Sequence, residues 1–159
     1  MAGPYLSESA RAASAAESRF RITRPIAPAR DARIIALDDR AAAVVRRVAD
    51  RTWARAGFYL AGDGDRVAPR TLDGAPVALA DLLTGTDVVV VVATDDTGRN
   101  AAAAVGAGCG ERAVMTAGVV LGDGFAADDA VAALRPHARV LLLSADEGDL
   151  VDLLTALRV

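Results

Sequence analysis

The stretch "DVVVVVATDDTGRNAAAAVGAGCGER", residues 87–112, decides the fold. Five valines run without alternation into a polar knot, Thr94-Asp95-Asp96-Thr97-Gly98-Arg99-Asn100, and then into an alanine run. An unbroken apolar run is a strand covered on both faces, as in parallel sheets. A strand that hands over to a helix through a short polar loop is the unit of an α/β fold. Loops of this kind hold phosphates when they supply glycines and free N–H groups at a helix start. Here two aspartates stand in that place.

The same alternation extends outward from this stretch. "RIIALDD" (33–39) reads as a strand ending in acids, and "RAAAVVRRVADRTWAR" (40–55) as a helix with Val44, Val45, Val48 and Thr52 on one stripe. "GFYLAGDGD" (57–65) reads as a strand and "VALADLLTG" (77–85) as a short helix. "RAVMTAGVVLG" (112–122) and "ARVLLLSAD" (138–146) are further strands. "DDAVAALRPH" (128–137) and "EGDLVDLLTALRV" (147–159) are helices, the latter with Leu150, Leu153, Leu154 and Leu157 on one face. Alternating strands and helices predict a doubly wound, mostly parallel, five-stranded Rossmann-like sheet in three layers. Residues 34–37, 88–92, 114–120 and 140–143 are expected to be its buried strands. The domain spans 32–159, preceded by an arm or linker over 1–31 that is rich in Ala, Ser, Arg and Pro.

Composition narrows the function. The chain has 159 residues, is 53% hydrophobic but only 4% aromatic, and so builds its core from Val, Leu, Ile and Ala. A net charge of −3 offers no general basic field for nucleic acid or anionic lipid. All 18 basic residues are arginines, a bias that points to a GC-rich, bacterial genome. The single cysteine, Cys109, excludes an intrachain disulfide. No apolar run approaches the ~20 residues that span a bilayer, and no secretory signal opens the sequence. A cytoplasmic protein is expected.

In open α/β sheets ligands bind beyond the carboxyl ends of the strands. Those ends carry Asp38, Asp39, Asp63, Asp65, Asp95, Asp96, Asp123, Asp146 and Glu147. An edge this acidic repels bare polyphosphate. One reading makes these residues helix caps, with Asp39, Asp96 or Thr97, Asp128, and Ser144 or Asp146 in that role. Replacing Asp38 and Asp95 together by Asn then costs no more than ~1–2 kcal/mol. The other reading is a ligand site formed by Asp38, Asp39 and the loop Thr94, Asp95, Asp96, Thr97, Gly98, Arg99 and Asn100, with Mg²⁺ held by Asp38, Asp39, Asp95 and Asp96. His137 is expected to be a surface cap or dipole partner at a helix end, Cys109 to be inert, and Trp53 to plug the base of the first helix.

"RIIALDDRAAAVVRRV" and "DVVVVVATDDTGRNAAAA", followed by "AVMTAGVVL" and "LRPHARVLLLSADEGDL", resemble in order the nucleotide-binding half of the FtsZ/tubulin family. Of that family's GGGTGTG signature only Thr97-Gly98 is present, and its first glycine turn is replaced by Leu37-Asp38-Asp39-Arg40. The resemblance implies a nucleotide-binding scaffold with phosphate binding lost. Asp38-Asp39, Asp95 or Asp96, and Thr116 also resemble the acidic pair, the phosphorylated Asp and the Thr of receiver domains. The Lys that completes that set is missing, which implies a degenerate receiver.

Three classes follow. The first is a non-catalytic interaction or regulatory subunit, joined to another protein subunit or to its own copies and helped by the arginine-rich arm. The second is a metal- or small-ligand-binding sensor. The third is a Mg²⁺-dependent phosphotransfer or hydrolase enzyme using the acidic edge.

Overall fold

The computed structural model describes Phe20 and residues 26–62, 68–123 and 125–159. Its centre is β4 (Val88–Ala93), in which all six residues are buried. The valine run is unalternated because helices cover both of its faces. Beside it lie β1 (Ala32–Ala36) and β5 (Met115–Leu121), with β2 (Ala56–Leu60) and β6 (Ala138–Ala145) beyond them, all parallel. The chain enters β1 through Asp31, whose N–H donates to the Asp87 carboxylate at 2.8 Å while its carbonyl accepts from Asp87 N–H at 2.8 Å.

A sixth strand was not legible in the sequence. β3 (Arg70–Thr71) pairs antiparallel with β2 and gives the order β3-β2-β1-β4-β5-β6. It has two residues, too few for a periodicity, and exists because a turn at Gly74 folds the chain back so that Arg70 bridges Pro76.

Two apolar layers sandwich the sheet. On one face α1 (Asp39–Ala49) and α5 (Glu147–Ala156) cover Ile34, Val88, Val90, Val92 and Val119. On the other, α2 (Leu79–Leu83), α3 (Arg99–Glu111) and α4 (Asp128–Leu134) cover Ile35, Val89, Val91 and Val120. This is the three-layer, Rossmann-like α/β architecture. Among the described residues no helix is long and apolar enough to cross a membrane.

The helices end where local chemistry ends them. α1 buries Ala41, Ala42, Val45 and Val48 and stops at Ala49, short of the expected Arg55. Trp53 closes its base: the indole N–H donates at 2.8 Å to the Val48 carbonyl, which also accepts from Arg51 N–H at 3.1 Å. α5 starts on a reciprocal cap, Asp146 accepting from Asp149 N–H and Asp149 from Asp146 N–H, each at 2.9 Å. Of its leucine stripe, Leu150 and Leu154 are fully buried.

His137 corrects the expectation of a surface cap. Its ring lies over α3, where a β-carbon at Gly106 would stand 2.7 Å from Cδ2 and one at Gly110 would stand 3.3 Å from Nδ1. Gly106 and Gly110 are the bed on which this ring packs. Cys109 is buried, and desolvation pushes its thiol up, which keeps the unreactive form.

The expectation that 140–143 forms a fully buried strand is also corrected. β6 closes one side of the sheet; Val140, Leu141 and Leu142 are half-buried and Leu143 is 51% exposed. Apolar residues in an unbroken run suit a covered strand and an uncovered edge equally well. Most of the expected arm over 1–31 lies outside the described residues. Its end is tied to the domain, because Arg30 N–H donates to the Arg158 carbonyl at 2.8 Å.

Candidate functional site at the carboxyl edge

The strand order reverses between β1 and β4. From β1 the chain crosses towards β2, and from β4 it crosses the other way towards β5. The loops after these strands therefore diverge and leave the crevice in which such sheets bind ligands. Leu37-Asp38 forms one wall and Thr94–Gly98 the other.

Asp38 fills that crevice. One carboxylate oxygen accepts from Ala41 N–H at 2.8 Å and from the Thr94 hydroxyl at 2.7 Å. The other accepts from Thr94 N–H at 2.6 Å and from Asp95 N–H at 3.3 Å. Asp38, rather than the expected Asp39, is thus the N-cap of α1, and the same side chain ties the β4 loop to it across 56 residues of sequence. Backbone N–H groups beside a helix start, gathered at a switch point, are the donors that would meet a phosphate. In this chain an internal carboxylate meets them.

Gly98 makes the closeness of the two loops workable. A β-carbon there would stand 2.5 Å from Leu37 Cβ and 2.6 Å from the Leu37 carbonyl oxygen. The residue is needed for approach alone, since its backbone (φ −93°, ψ 16°) is open to any amino acid. It is also the N-cap of α3, with no side-chain cap, where Asp96 or Thr97 was expected.

The remaining acids have other partners. The Asp95 carboxylate accepts from Thr97 N–H at 2.8 Å and folds the loop on itself. The Asp96 carbonyl accepts from Arg99 N–H at 3.1 Å, but its carboxylate turns away from α3 and accepts from Ala130 N–H at 2.9 Å, so it caps α4 from a distance. Asp128, expected as that cap, lies within the first turn of α4. Asp39 is exposed, and Arg99 and Asn100 are exposed in the first turn of α3. Asp63 and Asp65 lie outside the described residues.

The four carboxylates expected to hold Mg²⁺ are not drawn together. Asp38 and Asp96 point at different N–H groups, and among the described residues no three His, Cys, Asp or Glu side chains gather where they could hold a metal. Thr116 lies away from these acids. It is the second residue of β5, at the amino end of its strand, opposite the edge that carries Asp38 and Asp95.

Beside Asp38 a cavity of about 420 Å³ opens over the ends of β1 and β2. Asp38, Asp39, Asp95 and Thr97 line it, and so do Arg40, Arg46, Arg70 and the Leu60–Gly62 segment. Arg46 comes from α1, off the apolar stripe that Val44, Val45 and Val48 form. Arg70 is brought in by the unforeseen β3.

Asp95 is held below the usual carboxylate range, first by its hydrogen bonds from Thr97 and then by the charge of Arg40. A folded-state value below the unfolded one means that its stabilisation is present above about pH 4, where an unfolded Asp ionises, and is lost as the pH falls through the folded value. Acid titration of the melting temperature is expected to show a steeper fall below pH 4 for the wild type than for Asp95→Asn. Parallel curves would remove Asp95 from the acid response.

Against known proteins, no family profile matches the chain and no curated protein matches it significantly.

Proposed function

We propose that this chain is a non-catalytic interaction or regulatory subunit on a nucleotide-binding-type scaffold whose phosphate position is occupied from within. One observation carries the reading: the Asp38 carboxylate takes the N–H groups of Ala41, Thr94 and Asp95 at the switch point. A nucleotide phosphate arriving there would meet a negative charge and donors already engaged. The chain's remaining use of the scaffold is to present surfaces to a protein partner or to its own copies. The departures from the FtsZ/tubulin signature at Leu37–Arg40 and Thr94–Asn100 agree with this reading.

A second reading is favoured by the 420 Å³ cavity with its three arginines. In it the chain senses a small ligand beside Asp38, without a metal. Calorimetry with GTP and with ATP, in EDTA and again with Mg²⁺, tests the first reading. No measurable heat of binding is expected in either condition. Micromolar affinity in EDTA would overturn the occupied-site account.

A further inference from the structure

The cavity beside Asp38 is hollowed out by small residues. Ala36, Ala42, Ala61 and Gly62 line it, and longer side chains at these places would fill it. Its volume of about 420 Å³ lies within the ~300–1,000 Å³ of small-molecule sites. Leu37 and Leu60 add apolar wall, on which the body of an organic molecule can lie.

The charges of the cavity divide into those already engaged and those that face the space. Asp38 is taken up by the N–H groups of Ala41, Thr94 and Asp95. Asp95 accepts from Thr97 N–H, and the charge of Arg40 acts on it. Arg70, opposite Leu60 in the β3–β2 register, forms the β3 wall. There remain Asp39 and Arg46, both exposed on α1, neither with a hydrogen-bond or ion-pair partner for its side chain among the described residues. With Ala42 between them they stand at i, i+3 and i+7, on one face of the helix. Seven residues separate their α-carbons by about 10 Å along the axis. Helical side chains tilt towards the amino end, and Arg46 is the longer of the two. The gap between carboxylate and guanidinium therefore shrinks to about the length of a substituted aromatic ring. Arg46 also stands in the last turn of α1, where the helix carries partial negative charge. A ligand with one negative charge suits that place better than one with two.

We infer that this cavity binds a small monocarboxylate with an apolar body and a hydroxyl at its far end. The carboxylate accepts two parallel N–H bonds from the Arg46 guanidinium. The body lies against Leu37 and Leu60, and the hydroxyl donates to the Asp39 carboxylate. The inference rests on the small-ligand reading and names the ligand class in it. It leaves the Asp38 carboxylate in place, because no part of such a ligand needs the N–H groups that Asp38 holds.

The melting temperature of the full chain, followed against millimolar 4-hydroxyphenylacetate, tests it. Phenylacetate lacks the far hydroxyl, and 4-hydroxyphenethyl alcohol lacks the charge. Arg46→Gln removes the guanidinium. Arg47→Gln is the control, for Arg47 stands in the same turn, lies outside the cavity and pairs with Glu147 at 2.8 Å. Both arginines are exposed, so neither substitution disturbs the core. The wild type is expected to show a saturable rise with 4-hydroxyphenylacetate, as ligand binding to the folded state requires. The apparent affinity is expected to fall roughly ten-fold or more for the alcohol, for phenylacetate and in Arg46→Gln, the cost of a hydrogen bond to a charged group, and to be unchanged in Arg47→Gln. An equal loss in the two arginine variants would overturn the inference in favour of a general surface charge. Equal affinity for the acid and the alcohol would overturn the carboxylate and leave the small-ligand reading standing, and equal affinity for phenylacetate would overturn the contact to Asp39. A wild type that responds to none of the three would overturn the inference together with the small-ligand reading.

Discussion

Asp38→Ala is expected to lower the melting temperature by roughly 5–15 °C, corresponding to about 2–4 kcal/mol. A lost cap alone costs less, about 1 kcal/mol. The larger figure follows from the other partners. Thr94 N–H and Asp95 N–H lose their acceptor in a partly buried loop, and an unsatisfied donor there costs about 1–3 kcal/mol. On this argument the double Asn replacement is expected to cost more than the ~1–2 kcal/mol of lost caps alone. Asn at position 38 presents an NH₂ to at least one group that is itself a donor, so it repairs only one side of the carboxylate. Thermal melts of the wild type, Asp38→Asn and Asp38→Ala check the ranking. Asp39→Ala is the control, since Asp39 is exposed and is not the cap.

Gly98→Val is expected to be at least as damaging, about 3 kcal/mol or more, at the upper end of overpacking costs. The added β-carbon collides with Leu37 at its Cβ and at its carbonyl oxygen, and backbone cannot rotate aside as a side chain can. The β1 and β4 loops must separate, which also pulls Thr94 and Asp95 from Asp38. Gly118→Ala makes the useful comparison. Its β-carbon would stand 2.6 Å from Leu141 Cδ2, the far end of a flexible side chain on the half-buried edge strand, and a smaller loss is expected. Denaturant melts of the two variants measure the difference. Equal stabilities would show that the loop contact is softer than its geometry.

The fold was legible in the sequence because five of its strands announce themselves. Val88–Ala93 is apolar without interruption, Met115–Leu121 is broken only by Thr116 and Gly118, and the stripes of α1 and α5 fall at helical spacing. β3 escaped because two residues carry no period. The exposure of β6 escaped because an apolar run does not record what lies beyond a strand's edge; only the strand order does.

At the site, the residues of the two loops were legible and their roles were not. Asp38, Asp95 and Asp96 are three similar carboxyls after two strands. One bridges both loops, one folds its own loop, and one caps a helix 34 residues away. Those assignments depend on distances between loops that are remote in sequence. The cap expected at Ser144 or Asp146 is Asp146, but elsewhere the caps lie on other residues: Asp38 in place of Asp39, Gly98 in place of Asp96 or Thr97, and Asp96, from a remote loop, in place of Asp128.

The most direct test of the occupied phosphate position is rescue by a free anion. Asp38→Ala vacates the position while Ala41, Thr94 and Asp95 keep their N–H groups. Its melting temperature is to be followed against inorganic phosphate and formate, with chloride at matched ionic strength as reference and the wild type in parallel. The account predicts that phosphate or formate raises the melting temperature of Asp38→Ala by several degrees more than that of the wild type, in a saturable way, as ligand binding to the folded state requires. An equal, non-saturating rise in both proteins would contradict it, for the Asp38 carboxylate would then be a cap and nothing more.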